Sequence, residues 1–357
     1  MNHSATARFV GLDLIRSFAI LFVITGHFFI NADFGGISYC NWEMFLLAAG
    51  RRLFSISVPL FLIITGYLNW DKRLTKKYYN SGIKVIMSYL IISLVTIIFL
   101  IYHNHVNLTF SQWLFKVTNF TAISYGWYIE MWIGLFLLTP FLNTLWHSLE
   151  TRQHQIILIV TLFLLTALPN FVNRPYMWLL PDFWTFMYPI LFFYIGTYIR
   201  QYQPIVKRYI LLPTLIVLCM VNPIINLILS KEEMTPGNPF AVMGVLIATV
   251  FFLGFYRIQI NKVSIRFILA KIAVYSLDMY LVSYMFDILY YHRFQSYYMD
   301  ANYLKAFMII TSCVFFSSFT FAWFKDYLFK LLNTLIHFIH CKLYKIPTQT
   351  HHTNRKT

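Results

Sequence analysis

Arg16 and His27 stand eleven residues apart inside LDLIRSFAILFVITGHF, residues 12–28, a stretch apolar enough to cross a bilayer. Eleven residues make almost three whole helical turns, so both side chains leave one face, roughly 16 Å apart along the axis. Asp13, three residues before Arg16, joins the same face. An ionisable side chain inside a membrane costs at least a few kcal/mol, so such residues usually line a water-filled cavity or a functional path. For Arg16 and His27 together the spacing favours function over a structural cation and a snorkelling ring. Asp13 reads equally well as half of an ion pair with Arg16 at the inner interface.

Other polar residues can join this stripe. Glu130, in GWYIEMWIGLFLLTP (126–140), lies about one turn below the outer surface, near the level of His27. A carboxylate at that depth needs a partner, and a histidine is a natural one. Trp127, one turn earlier, is either an aromatic-belt anchor or part of the site. Arg51 and Arg52 sit at the outer end of the second span, against the positive-inside bias. They either hold an anionic group or are ordinary interfacial arginines. Ser276, Tyr280, Tyr284 and Asp287 are spaced four, four and three in AVYSLDMYLVSYMFDILYY, forming one polar stripe that lines a cavity or joins helices. Asp278 points elsewhere, toward the inner half. His103 and His105 lack a third ligand at metal-binding spacing, and no phosphate loop or serine-nucleophile elbow appears.

The elements that must position these residues are membrane helices. Of the 357 residues, 59% are apolar and 11% charged, and the mean hydropathy is +0.63. Continuous apolar runs exclude a β-barrel, whose strands would alternate. The first run carries internal charge and no cleavage site, so it is not a signal peptide. Four cysteines, two within apolar runs and Cys40 facing outward, give no disulfide framework. The pattern predicts an all-α polytopic protein of about ten transmembrane helices: 10–29, 53–69, 83–102, 126–145, 155–172, 183–199, 209–229, 240–256, 268–290 and 303–323. With both termini inside, 20 of the 28 Lys and Arg fall on cytoplasmic segments, 7 on outer ones and Arg16 within the first span. That excess sets an N-in, C-in orientation. The net charge of +15 then belongs to loops facing acidic lipid, not to nucleic-acid binding.

Residues 1–323 read as one membrane domain. Residues 324–357 read as a cytoplasmic basic amphipathic helix, KDYLFKLLNTLIHFIHCKLYK, followed by a disordered polar tail. No internal repeat is visible, which weakens an inverted-repeat transporter.

Arg16-x10-His27 resembles the first-helix motif of acyltransferase family three, the integral-membrane acyltransferases. VPLFLIITGYL (58–68), GWYIEMWIGLFLLTP (126–140) and SLDMYLVSYMFD (276–287) resemble its other segments, in register. The resemblance spans about residues 8–323. It implies transfer of an acyl group, commonly acetyl, from cytoplasmic acyl-CoA to a hydroxyl of an extracytoplasmic glycan or lipid-linked sugar. It implies functional roles for Arg16, His27 and Glu130. The family's arginine-rich stretch before the third span is thought to meet the CoA phosphates. Here it offers Lys72, Arg73, Lys76, Lys77 and Lys84, mostly point charges without the guanidinium fork. No extra hydrolase-like domain is expected after the membrane region.

On that basis Lys76, Lys77, Lys84 and Arg16 would hold acetyl-CoA, as a co-substrate rather than a permanently bound cofactor. His27 would act as general base or acyl carrier, oriented by Glu130. Arg51, Arg52, Trp127, Tyr284 and Asp287 would meet the acceptor or steady the oxyanion. The expected partners are acetyl-CoA, a saccharide acceptor and the lipid bilayer, with no nucleic acid and no metal. The expected location is a cell membrane, crossed many times, as in a bacterial plasma membrane. Two non-enzyme readings compete: a transporter or flippase of lipid-linked sugars, and a structural subunit of a polysaccharide export complex. Aromatic residues at 39, 42, 176, 178, 291, 297 and 298 could stack on sugar rings or anchor the interface.

Overall fold

A bilayer offers no water to backbone N–H and C=O groups, so a spanning chain must satisfy them internally. The computed structural model describes residues 9–32, 42–173, 178–228, 238–294 and 303–343, and these contain helices and no strand. The helices are α1 (Val10–Asn31), α2 (Trp42–Phe54), α3 (Ser57–Asn69), α4 (Lys76–His103), α5 (Phe110–Thr118), α6 (Trp127–Ser148), α7 (Arg152–Val172), α8 (Tyr188–Tyr202), α9 (Arg208–Ile228), α10 (Val242–Phe255), α11 (Val263–Arg293) and α12 (Tyr303–Leu343). Among the described residues six stretches are long and apolar enough to cross a membrane: α1, α2 with α3, α4, α6, α7 and residues 303–331 of α12. The other four predicted spans are also helical, as α8 to α11. The protein is therefore an all-α polytopic membrane protein.

Threonine side chains open α4, α5 and α7, where Thr75, Thr109 and Thr151 accept hydrogen bonds from the backbone N–H of Tyr78, Gln112 and His154. The core gathers around α1, which packs on α2, α3, α10, α11 and α12. Its inward residues Ile15, Ala19, Ile20, Ile24 and Phe28 are fully buried.

The second predicted span is in fact preceded by a separate helix. α2 ends at Phe54, two residues turn, and α3 begins at Ser57. The Ser55 hydroxyl bonds the Arg52 carbonyl at 2.8 Å, which satisfies one of the acceptors freed by the break. The predicted cytoplasmic segment after 323 continues α12 without interruption to Leu343. The polar tail from 344, Cys40 and the aromatic positions 39, 176, 297 and 298 lie outside the described residues.

Two contacts lock the bundle. α3 and α8 cross backbone to backbone at a reciprocal glycine pair. A Cβ on Gly66 would stand 1.9 Å from the Phe193 carbonyl oxygen, and one on Gly196 would stand 2.1 Å from that of Ile63. On the other side, Lys325 of α12 pairs with Asp278 of α11 at 2.5 Å and donates to Ser88 of α4 at 2.8 Å. Asp278 thus leaves the polar stripe of its own helix to tie three helices together.

The glycine crossing makes a prediction. Gly66→Ala should lower the melting temperature in detergent, by an overpacking penalty of about 1–3 kcal/mol, because the obstructing atom is backbone and cannot rotate away. An unchanged melt would show that the two helices are not in this contact.

Candidate active site

α1 carries Arg16 and His27 up one side, as their spacing requires, and α11 lays its polar stripe against them. Two adjacent chambers result. The first, about 380 Å³, is lined by Arg16 with Phe61, Thr65, Tyr128, Trp132, Ser276 and Tyr280 among others. The second, about 340 Å³, is lined by His27 with Arg51, Ser55, Ser57, Tyr125, Trp127, Phe240 and Tyr280. Val23, Val58 and Tyr280 face both chambers. The break between α2 and α3 borders the second, where Phe54, Ser55 and Ser57 form part of its wall.

The carboxylate at His27 is Asp287. Its Oδ2 stands 3.3 Å from His27 Nδ1, and it is 3% exposed. The contact is close but not aligned as a hydrogen bond. Tyr125 completes the group. Its hydroxyl donates to the same Oδ2 at 2.6 Å, and its ring stacks on the imidazole with centroids 3.7 Å apart and planes 25° apart. Tyr280 donates to the Tyr125 carbonyl at 2.7 Å, and Tyr284 packs edge-on against the Tyr125 ring at 5.4 Å. A proton on Nδ1 would face the carboxylate and leave the lone pair on Nε2.

The predicted residues distribute as follows. Arg16 and His27 share a face and line neighbouring chambers. Asp287, Tyr284 and Tyr280 come to His27 along the stripe that their spacing predicted. Trp127 walls the histidine chamber while remaining 42% exposed. Arg51 lines the same chamber, its guanidinium 5.8 Å from the centre of the Phe29 ring. Arg52 lines neither chamber and instead lies within electrostatic reach of Cys219 on α9.

Glu130 is not the partner of His27. Tyr128 and Ile129 take the buried side of α6, and Glu130 is exposed. At 100° per residue it stands about 200° around the helix from Tyr128. Its side chain faces away from the buried side that the sequence reading assigned to it. Lys76, Lys77 and Lys84 are exposed on α4 and line none of the three cavities. A third cavity of about 630 Å³, at the N-terminal end of α1 beside Phe9, is lined by Arg257 and Arg266 together with Tyr67, Gln203 and Asn261. Arg257 donates to the Gln203 carbonyl at 2.7 Å, which holds it at that mouth.

Sequence reasoning missed Tyr125 altogether. It precedes α6 by two residues, outside every periodic pattern. The one local signal was Gly126, where a Cβ would stand 2.1 Å from the Phe120 carbonyl, so the loop is folded tightly there.

No curated protein and no solved structure matches the chain significantly. A family model described as an acyltransferase domain matches residues 9–326, which takes in both chambers and every residue that lines them. A histidine paired with a buried carboxylate, set in that domain, is a means of activating a hydroxyl or of carrying an acyl group. The chain belongs to acyltransferase family three, and it is a multi-pass membrane acyltransferase.

Proposed function

We propose that the protein moves an acetyl group from cytoplasmic acetyl-CoA to a hydroxyl of an extracytoplasmic or lipid-linked polysaccharide. The observation that carries this reading is the place of His27, at the wall of one chamber, next to another that holds Arg16 some three turns nearer the N-terminus. The donor enters from the N-terminal side and the acceptor from the other. Lys76, Lys77 and Lys84 form a basic rim for the CoA phosphates, and Arg257 and Arg266 offer arginine forks at the same end. Arg16 faces the thioester arm.

In direct transfer, Nε2 of His27 takes the proton of the sugar hydroxyl as its oxygen attacks the thioester carbonyl. The C–S bond breaks, and the CoA thiolate recovers the proton from the imidazolium. In the two-step form, Nε2 attacks the carbonyl and the C–S bond breaks, leaving an acetyl-imidazolium whose ring proton passes to the CoA thiolate; the sugar hydroxyl then displaces the imidazole, which takes up the hydroxyl proton. Asp287 stabilises the positive ring in either case. Arg51 is placed to meet the oxyanion or the acceptor.

The test compares surface polysaccharide from cells with and without the gene. Mild base should release ester-bound acetate only when the gene is present, and acetyl-CoA or desulfo-CoA should raise the melting temperature of the purified protein. Unchanged acetate with failed polymer export would replace this reading with a transporter of lipid-linked sugar.

A further inference from the structure

Three chain segments far apart in sequence meet at His27, and only one of them belongs to no span. α1 supplies the imidazole and α11 supplies Asp287. The loop between α5 and α6 supplies Tyr125, which touches both. We propose that Tyr125 is the positioning residue of the site, holding Asp287 and His27 in the one mutual orientation that leaves Nε2 basic.

Three observations support the assignment. First, the Tyr125 hydroxyl binds Oδ2, the oxygen that faces His27 Nδ1, while Oδ1 of Asp287 has no hydrogen-bond partner among the described residues. The carboxylate therefore has one anchored oxygen, and the tyrosine is its anchor. Without that donor the group can turn about its last torsion and present either oxygen to the ring, since such terminal torsions are broad. Second, the stacked ring limits how far the imidazole can tilt. This matters because the His27–Asp287 contact is not itself aligned as a hydrogen bond. Third, Tyr125 is itself fixed. Tyr280 bonds its carbonyl, Asn31 donates to its hydroxyl at 3.4 Å, and Tyr284 covers its edge. A residue that served only to fill space would not need its main chain, its hydroxyl and its ring each engaged.

The proposal rests on His27 as the reacting base, so the test separates the two. Steady-state acetyl transfer is measured for wild type, His27→Ala, Tyr125→Phe, Asp287→Asn and the Tyr125→Phe/Asp287→Asn double variant. Tyr125→Phe keeps the stacked ring and loses only the donor. It should lower kcat by on the order of 10-fold, the scale of one hydrogen bond to a charged group, with KM for the acceptor unchanged. In the Asp287→Asn background the same change should have no further effect. Nitrogen NMR of labelled histidine, with His27→Ala identifying the His27 signals, should show one tautomer in wild type and a mixture in Tyr125→Phe. Wild-type kcat in Tyr125→Phe, or an equal loss in both backgrounds, overturns the positioning role. If instead His27→Ala is fully active, the base assignment fails. The tautomer measurement then still decides the positioning: a mixture in Tyr125→Phe supports it, and a single unchanged tautomer overturns it.

Discussion

His27→Ala should fold, melt near the wild type and lose acetyl transfer by roughly 10²–10⁴-fold, the usual contribution of a positioned general base. The protein tolerates the loss because the side chain is a chamber wall, not core. Its neighbours Ile24 and Phe28 carry the packing of α1, and Tyr125 remains to satisfy Asp287. The measurement is transfer of labelled acetyl to a saccharide acceptor by purified protein, beside a thermal melt. A folded His27→Ala variant with the wild-type rate would remove His27 from the chemistry. The same assay distinguishes the two forms of the reaction. A burst of CoA, one per protein, released from wild type without acceptor means that the ring carries the acetyl group.

Asp287→Asn should be the second most damaging change, lowering kcat by roughly 10²-fold or more with little effect on folding. The amide has the same shape as the carboxylate. It still takes part in a hydrogen bond with Tyr125, yet it can offer an N–H to Nδ1. That moves the ring proton to Nε2, where the base is needed. The positive ring formed during transfer also loses its counter-charge. Glu130→Gln is the comparison, and it should stay close to wild type, because Glu130 is exposed on the far flank of α6. A dead Glu130→Gln beside an active Asp287→Asn would reverse the assignment.

That reversal of carboxylates shows which parts of the site can be read from a sequence. Position along a helix is legible. The three-turn interval from Arg16 to His27 and the four-four-three stripe of α11 both follow from 1.5 Å and 100° per residue. Two residues on one helix share a face by arithmetic alone, so both stripes were visible in advance. The direction in which a helix turns its face is a tertiary property. For α6, apolar on nearly every side, periodicity carried no preference between the flank of Tyr128 and that of Glu130. The stripe of α11 named Asp287 as a site residue but could not say which helix it would face. Tyr125 was beyond reach for a different reason. A loop residue has no period, and its place on His27 depends on how Gly126 and Phe120 fold the approach to α6. The extra helix α2 was likewise hidden, since an apolar run does not show where it will break. The fold class itself was plain from the apolar runs.

The junction of the two chambers at Val23, Val58 and Tyr280 has an electrical meaning. A living membrane holds a voltage, and each elementary charge carried across it exchanges about 2.3 kcal/mol per 100 mV. A wet passage along the whole of α1 would short-circuit that store of energy. Val23, Val58 and Tyr280 face both chambers and stand where such a passage would have to run. In the proposed reaction the phosphates of CoA stay on the side where they were made, and the sugar stays on the other. An acetyl group passes to the sugar as the hydroxyl's proton passes to the CoA sulfur, so the exchange is electrically neutral and neither draws on the membrane voltage nor works against it.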